Sequence, residues 1–257
     1  MDIIGLVPAA GLGTRLSPLP CSKELYPIGF TSHAGHDHPH PKVVSHYLLD
    51  LYKLAGAQKV YFILREGKWD IPAYFKDGSS VGLDIAYLVM QRPYGTPFTL
   101  DQAYPFVQEN EVLFGFPDIL VQPEDVFVQL LQRQHESQAA ITLGTFTIQA
   151  NQKWDILEVG PGGEVLSVTE TKTDSAHTLG WAVACWGPLF TKFMHEYLIE
   201  QHEHMVLTDT FKEIRVGEVI QAAISNGLAV QSVYFSAGKC LDIGTPGNLR
   251  QAVKALS

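Results

Sequence analysis

The strongest constraint on the fold lies at the amino end of the chain. Ile3-Ile4-Gly5-Leu6-Val7 is a short apolar run of the kind that forms a buried strand. It leads directly into Pro8-Ala9-Ala10-Gly11-Leu12-Gly13-Thr14-Arg15-Leu16, with Ser22-Lys23-Glu24-Leu25-Tyr26-Pro27 close behind. Small residues and two glycines let the backbone turn sharply and bring its N–H groups near a ligand. A row of free N–H groups cradles an anion. Arg15 and Lys23 add two cations, which suit a polyphosphate better than a neutral ligand. Loops at the carboxyl end of a buried strand are favoured ligand positions in α/β sheets. The dinucleotide-binding fingerprint would require a third small residue where Leu16 stands, and no Gly-Lys-Ser/Thr of a P-loop is present.

The rest of the chain supplies more strands of the same kind. Lys59–Leu64, Asp84–Val89, Glu111–Phe116 and Ala139–Ile148 read as strands. Helical spacing covers Val43–Tyr52, Pro97–Val107 and Pro123–His135, with Pro123 placed in the first turn. The alternation predicts an α/β fold: a mostly parallel sheet covered by helices on both faces. The second half is less regular. Ile156–Val159 and Val165–Thr169 read as a hairpin around Pro161-Gly162-Gly163. Strands follow at Trp181–Trp186 and Ala229–Phe235, and helices at Pro188–Gln201, Phe211–Gly227 and Thr245–Leu256. No repeat or low-complexity linker divides the chain.

With 46% hydrophobic and 18% charged residues the chain can build a large core. A net charge of −9 argues against a general nucleic-acid or anionic-membrane surface, so a phosphate site must be a local basic pocket. No apolar stretch approaches the ~20 residues of a membrane helix, and no basic region precedes the first apolar run as in a signal peptide. Cys21, Cys185 and Cys240 have no metal spacing and suit a reducing compartment, so a cytoplasmic protein is expected. A homo-oligomer is left open. His33, His36, His38 and His40 fall in one polar segment, read as a surface insertion, with zinc or nickel binding the minor alternative.

The pattern G-x-G-T-R-L followed by S-K-E-x-x-P resembles the signature of the sugar-nucleotide pyrophosphorylases, and is closest in pattern to the glucose-1-phosphate thymidylyltransferases. Later landmarks extend the resemblance, with gaps, over nearly the whole chain. It implies one Rossmann-like nucleotidyltransferase domain over 1–257, with a smaller β-rich sugar-side lobe. Residues 1–150 would mainly hold the nucleotide and 151–257 the acceptor. The implied reaction joins a nucleoside triphosphate to a sugar 1-phosphate or related small phosphate. A non-catalytic nucleotide-binding regulator is the alternative.

By the same resemblance, Ala10, Gly11, Gly13 and Thr14 bind the nucleotide. Gln91 and Gly95 select uracil or thymine, and an amide does offer the donor and acceptor that an imide face requires. Asp118 and Asp242 would bind Mg²⁺. Asp118 stands in Pro117-Asp118 where the family usually has Gly-Asp. Asp242 stands in Cys240-Leu241-Asp242-Ile243-Gly244-Thr245, similar to W-x-D-x-G-T. Arg15 would neutralise the departing pyrophosphate, Lys23 would face the α-phosphate, and Lys172 would hold the acceptor phosphate. Asp155 and Glu170 would contact the acceptor beside Lys172. Departures cluster on this side: Asp155 replaces a glycine, Glu170-Thr171-Lys172 replaces Glu-Lys-Pro, and Gly180-Trp181-Ala182 replaces Asn-Ala-Gly. They imply an acceptor other than glucose 1-phosphate.

Overall fold

The computed structural model describes the chain except residues 32–37, 92–93, 149–153, 171–177 and 257, and the side chain of 255. The first half runs β1 (Ile3–Pro8), β2 (Pro27–Thr31), β3 (His40–Val43), α1 (Val44–Leu54), β4 (Lys59–Arg65), α2 (Asp70–Phe75), β5 (Asp84–Met90), α3 (Thr96–Asp101), α4 (Tyr104–Val107), β6 (Glu111–Gly115), β7 (Ile119–Gln122), α5 (Val126–Ser137) and β8 (Ile141–Ile148). The second half adds β9 (Ile156–Val159), β10 (Val165–Thr169), β11 (Thr178–Trp186), α6 (Pro188–Thr208), α7 (Val216–Ser225), β12 (Val230–Tyr234), β13 (Lys239–Asp242) and α8 (Pro246–Leu256).

Nine strands form one sheet. β1 lies between β4 and β6, parallel to both, and β5 continues the parallel set beside β4. β12 is parallel to β8. β11 joins the two parallel groups, running antiparallel to β8 along its whole length. Its other edge is shared: β6 pairs with Val183–Trp186, and β9 reaches Gly180. The hairpin β9–β10 extends the sheet from there.

The strands are apolar on both faces because both are covered. Leu6, Ile63, Val112 and Phe114 pack on the side of α3, α6 and α7. Their neighbours Val7, Phe62, Leu64 and Leu113 pack on the side of α1, α2 and α5. This is the two-residue alternation of a strand. Tyr52 of α1 ties the sheet centre together. Its buried hydroxyl donates to the Leu6 carbonyl at 2.7 Å and accepts from the Gly115 N–H at 2.8 Å. Gly5 leaves room for that ring, since a Cβ there would lie 2.4 Å from Tyr52 Cδ2. Tyr52→Phe therefore strands two buried backbone groups and is expected to lower unfolding stability by about 1–3 kcal/mol in urea titrations. An unchanged midpoint would mean that the bridge contributes nothing.

Several elements differ from the sequence reading. The helix expected over Pro97–Val107 is two pieces, α3 and α4, because Pro105 has no N–H for a continuous helix. α5 begins at Val126, and Pro123 lies in the preceding turn, whose carbonyl accepts from the Val126 N–H at 3.3 Å. α6 continues to Thr208, past the expected Gln201, with no glycine or proline to stop it. α7 starts at Val216 rather than Phe211, because the Ile214 N–H is drawn to the Tyr94 carbonyl at 3.0 Å. The short ribbons β2–β3 and β7–β13, and helix α2, carry too little pattern to announce themselves. No helix among the described residues is long and apolar enough to cross a membrane.

Candidate active site

The glycine-rich loop leaves β1 at the carboxyl edge of the parallel strands. Ala9 is still held in the core, its N–H donating to the Ile63 carbonyl at 2.8 Å, and Ala10 is buried beside it. The chain then emerges. Gly11 and Leu12 are exposed, Gly13 takes a left-handed conformation (φ 64°), and Thr14–Leu16 form one 3₁₀ turn. Arg15 projects from that turn with its side chain 64% exposed. A second 3₁₀ turn, Lys23–Leu25, brings in the other cation.

The two acids are brought to one cavity by a strand pair that the sequence does not announce. β13 runs antiparallel to β7 with Asp242 opposite Ile119, one residue beyond Asp118. The Ile243 N–H donates to the Asp118 carbonyl at 2.9 Å and closes the end of this ribbon. Asp242 is set by the Gly244 N–H, which donates to its Oδ1 at 2.7 Å. Each acid faces one of the loop cations. Lys23 Nζ is 2.5 Å from Asp118 Oδ2, and Arg15 Nη1 is 3.8 Å from Asp242 Oδ2. Burial opposes the Lys23 charge, but Asp118, Glu24 and Asp242 outweigh it and hold the ammonium pKa above the ordinary lysine value.

These groups border one cavity of about 540 Å³, which Ala10, Gly11, Gly13, Thr14, Arg15, Lys23, Gly95, Asp118, Asp155 and Asp242 all line. Phe116, Trp154, Trp181 and the segment Glu213–Val216 line it too. Asp155 is fastened there: Arg215 Nη1 lies 3.2 Å from Oδ1, and Trp181 Nε1 donates to Oδ2 at 3.3 Å. Burial raises the Asp155 pKa in spite of Arg215. Arg215 was not singled out from sequence. The expected helix start at Phe211 hid it, although Glu218 three residues on is a capping signal, and its Oε1 accepts from the Arg215 N–H at 3.1 Å.

Two of the expected contacts, Gln91 and Glu170, are not brought into this cavity. Gln91 is exposed and lines a separate groove with Tyr94, Phe98 and His202. Glu170 is exposed, pairs with Arg215 at 2.9 Å, and lines an adjoining groove that shares Asp155 and Arg215. Lys172 lies outside the described residues, as do His33 and His36. Gly95 lines the cavity but is not open above its α-carbon. A Cβ there would lie 2.0 Å from the Ile214 carbonyl oxygen. Among the described residues no cluster of three or more His, Cys, Asp or Glu forms a ready-made metal site.

The family model described as nucleotidyl transferase matches residues 4–257. The chain belongs to the nucleotidyl transferase family. It is 24% identical, over 96% of its length and 64% of the relative's, to the low-salt glycan biosynthesis nucleotidyltransferase Agl11 of Haloferax volcanii. It is 24% identical, over 89% of its length and 59% of the relative's, to a glucose-1-phosphate thymidylyltransferase of Streptomyces antibioticus. The chain thus spans about three fifths of the length of these curated relatives. Among solved structures, a UDP-glucose pyrophosphorylase complexed with UDP-glucose superposes with a TM-score of 0.76 at 16% identity, covering 99% of this chain and 98% of the other. That match shows the nucleotidyltransferase fold, a mixed α/β architecture around a large, mostly parallel sheet.

Proposed function

We propose that this nucleotidyl transferase moves a nucleotidyl group from a pyrimidine triphosphate, dTTP or UTP, to a sugar 1-phosphate or related phosphate, forming an NDP-sugar and releasing pyrophosphate. The observation that carries the reading is the β7–β13 pairing. It sets Asp118 and Asp242 beside Lys23 and Arg15, on the cavity that the glycine-rich loop lines. Such an arrangement suits a ligand with several phosphates better than any neutral one.

An acceptor phosphate oxygen attacks the α-phosphorus in line. The bond to the bridging oxygen breaks and pyrophosphate leaves. The chain needs no nucleophile of its own, so positioning and charge stabilisation carry the rate. The loop N–H groups of Gly11–Thr14 and the Arg15 guanidinium take the charge of the leaving pyrophosphate. Lys23 faces the α-phosphate, and Lys172 holds the acceptor phosphate. Magnesium fits the donor set, because two carboxylates border one cavity and hard cations prefer oxygen ligands that a triphosphate can complete. Asp118 and Asp242 would hold it, and it would neutralise phosphate charge when bound. The fastened pair Asp155–Arg215 and the indoles of Trp154 and Trp181 shape the acceptor end, which supports an acceptor other than glucose 1-phosphate.

Pyrophosphate release from dTTP and UTP should be followed across a panel of sugar and cyclitol phosphates. Turnover with at least one acceptor is expected, abolished by EDTA and restored by Mg²⁺. Triphosphate binding without turnover on any acceptor would identify a nucleotide-binding homologue instead. Turnover untouched by EDTA would remove the metal from the proposal.

A further inference from the structure

Lys23 is bracketed by contacts from a segment that no part of the proposed chemistry uses. On its amino side, Asp70 at the start of α2 grips Ser22 with both oxygens. The Ser22 N–H donates to Oδ2 at 2.6 Å, and the Ser22 hydroxyl donates to Oδ1 at 2.7 Å. On its carboxyl side, Lys68 Nζ donates to both oxygens of Glu24, at 3.0 and 2.7 Å. The Glu24 side chain is wholly buried and that of Lys68 is 7% exposed. The Glu24 carbonyl in turn accepts from the Ser45 hydroxyl at 2.7 Å. The residues on either side of Lys23 are thus anchored to 68–70, and the Lys23 side chain is left to reach Asp118.

A buried ion pair is a poor way to gain stability, because desolvating two charges offsets most of their attraction. It is a good way to fix one register, because an unpaired Glu24 or Lys68 would be strongly disfavoured at that depth. The bidentate grip on Ser22 fixes the other side by geometry in the same manner. Two such anchors within two residues of one another, flanking one cation that lines the cavity, have a common effect. They hold the backbone from which the Lys23 side chain reaches Asp118.

We propose that Lys68 and Asp70 are positioning residues for nucleotidyl transfer, acting through Lys23. The inference rests on the function proposed above. A misplacement of about 1 Å can lower a rate ~10²-fold, so Asp70→Asn should reduce kcat by roughly 10–10²-fold with little change in KM for the triphosphate, since the glycine-rich loop is untouched.

A double-mutant cycle tests it. If Asp70 acts only through Lys23, the double variant Lys23→Met/Asp70→Asn is as slow as Lys23→Met alone. Independent effects that multiply would assign Asp70 a general structural role and overturn the proposal. Ser22→Ala, which removes only the hydroxyl contact, and Lys68→Met complete the set, so the cycle can be run on whichever variants retain the wild-type circular dichroism. Calorimetric titration with dTTP and UTP, run beside the cycle, should show triphosphate affinity of Asp70→Asn within a few-fold of wild type, and a large loss of affinity would also overturn the proposal. Wild-type protein with neither turnover nor triphosphate affinity overturns the functional reading, and the positioning role with it. Working wild-type protein with a multiplicative cycle overturns the positioning role alone.

Discussion

Lys23→Met should lower pyrophosphate release by about a hundred- to a thousandfold, the effect of removing one preorganised charge from a phosphoryl-transfer site, or ~2.7–4 kcal/mol of barrier. The geometry behind this is the 2.5 Å pair with Asp118 at the cavity wall and the two anchored neighbours that hold the lysine there. Methionine keeps the length of the stem and removes the charge. A steady-state assay with the best acceptor checks it, and a rate within a few-fold of wild type would remove Lys23 from the chemistry. The same substitution has a pH signature in stability. Burial disfavours the ammonium, but Asp118, Glu24 and Asp242 raise its folded pKa overall. Its contribution to stability is therefore fully present below the ordinary lysine value of about 10.4 and is lost as the pH rises through the higher folded value. The difference in unfolding stability between wild type and Lys23→Met should be flat from neutrality to about pH 9 and shrink at the alkaline extreme.

The largest effect on stability is expected at Gly95. Its φ of 113° disfavours any side chain, and a Cβ would meet the Ile214 carbonyl oxygen at 2.0 Å, an atom of the backbone that cannot rotate away. Gly95→Ala combines strain and overpacking, together about 2–5 kcal/mol, or roughly 5–20 °C in melting temperature for a domain of this size. Gly13→Ala is the control. Its left-handed conformation (φ 64°, ψ 21°) costs a side chain only about 1–2 kcal/mol, less than the glycine-only region that Gly95 occupies, and a Cβ there meets nothing within 4 Å. It should therefore melt well above Gly95→Ala. Equal melting temperatures would mean that the contact with Ile214 is immaterial. A displaced Ile214 would also move Arg215, so Gly95→Ala should raise the acceptor KM in addition.

Much of the sheet could be read from the chain because its strands are long apolar runs buried on both faces. Val7, Phe62, Leu64 and Leu113 belong to such runs. The glycine-rich loop was legible because its chemistry is contiguous. That Asp118 and Asp242 share one cavity was legible only through family resemblance. The ribbon that joins them consists of Ile119–Gln122 and Lys239–Asp242, four-residue strands with no periodicity to detect. Lys68 and Asp70 could not have been found from spacing, since their partners lie 44 and 48 residues away and the contacts exist only once α2 packs beside the loop. Arg215 was lost to a misplaced helix start, itself caused by the tertiary bond between Ile214 and Tyr94. Local pattern thus captured what each segment does by itself, and missed what the segments do to one another.

β11 has a bearing on how substrates enter and products leave. A clam-shell enzyme swings two lobes about a hinge, and that motion needs a seam where backbone pairing stops. Here the nine-residue β11 is paired with β8 along one edge and, on the other, with β6 at Val183–Trp186 and with β9 at Gly180. The two sides of the cavity therefore share a strand, and a hinge opening between them would have to break backbone pairs that movement of the strand-end loops would leave intact.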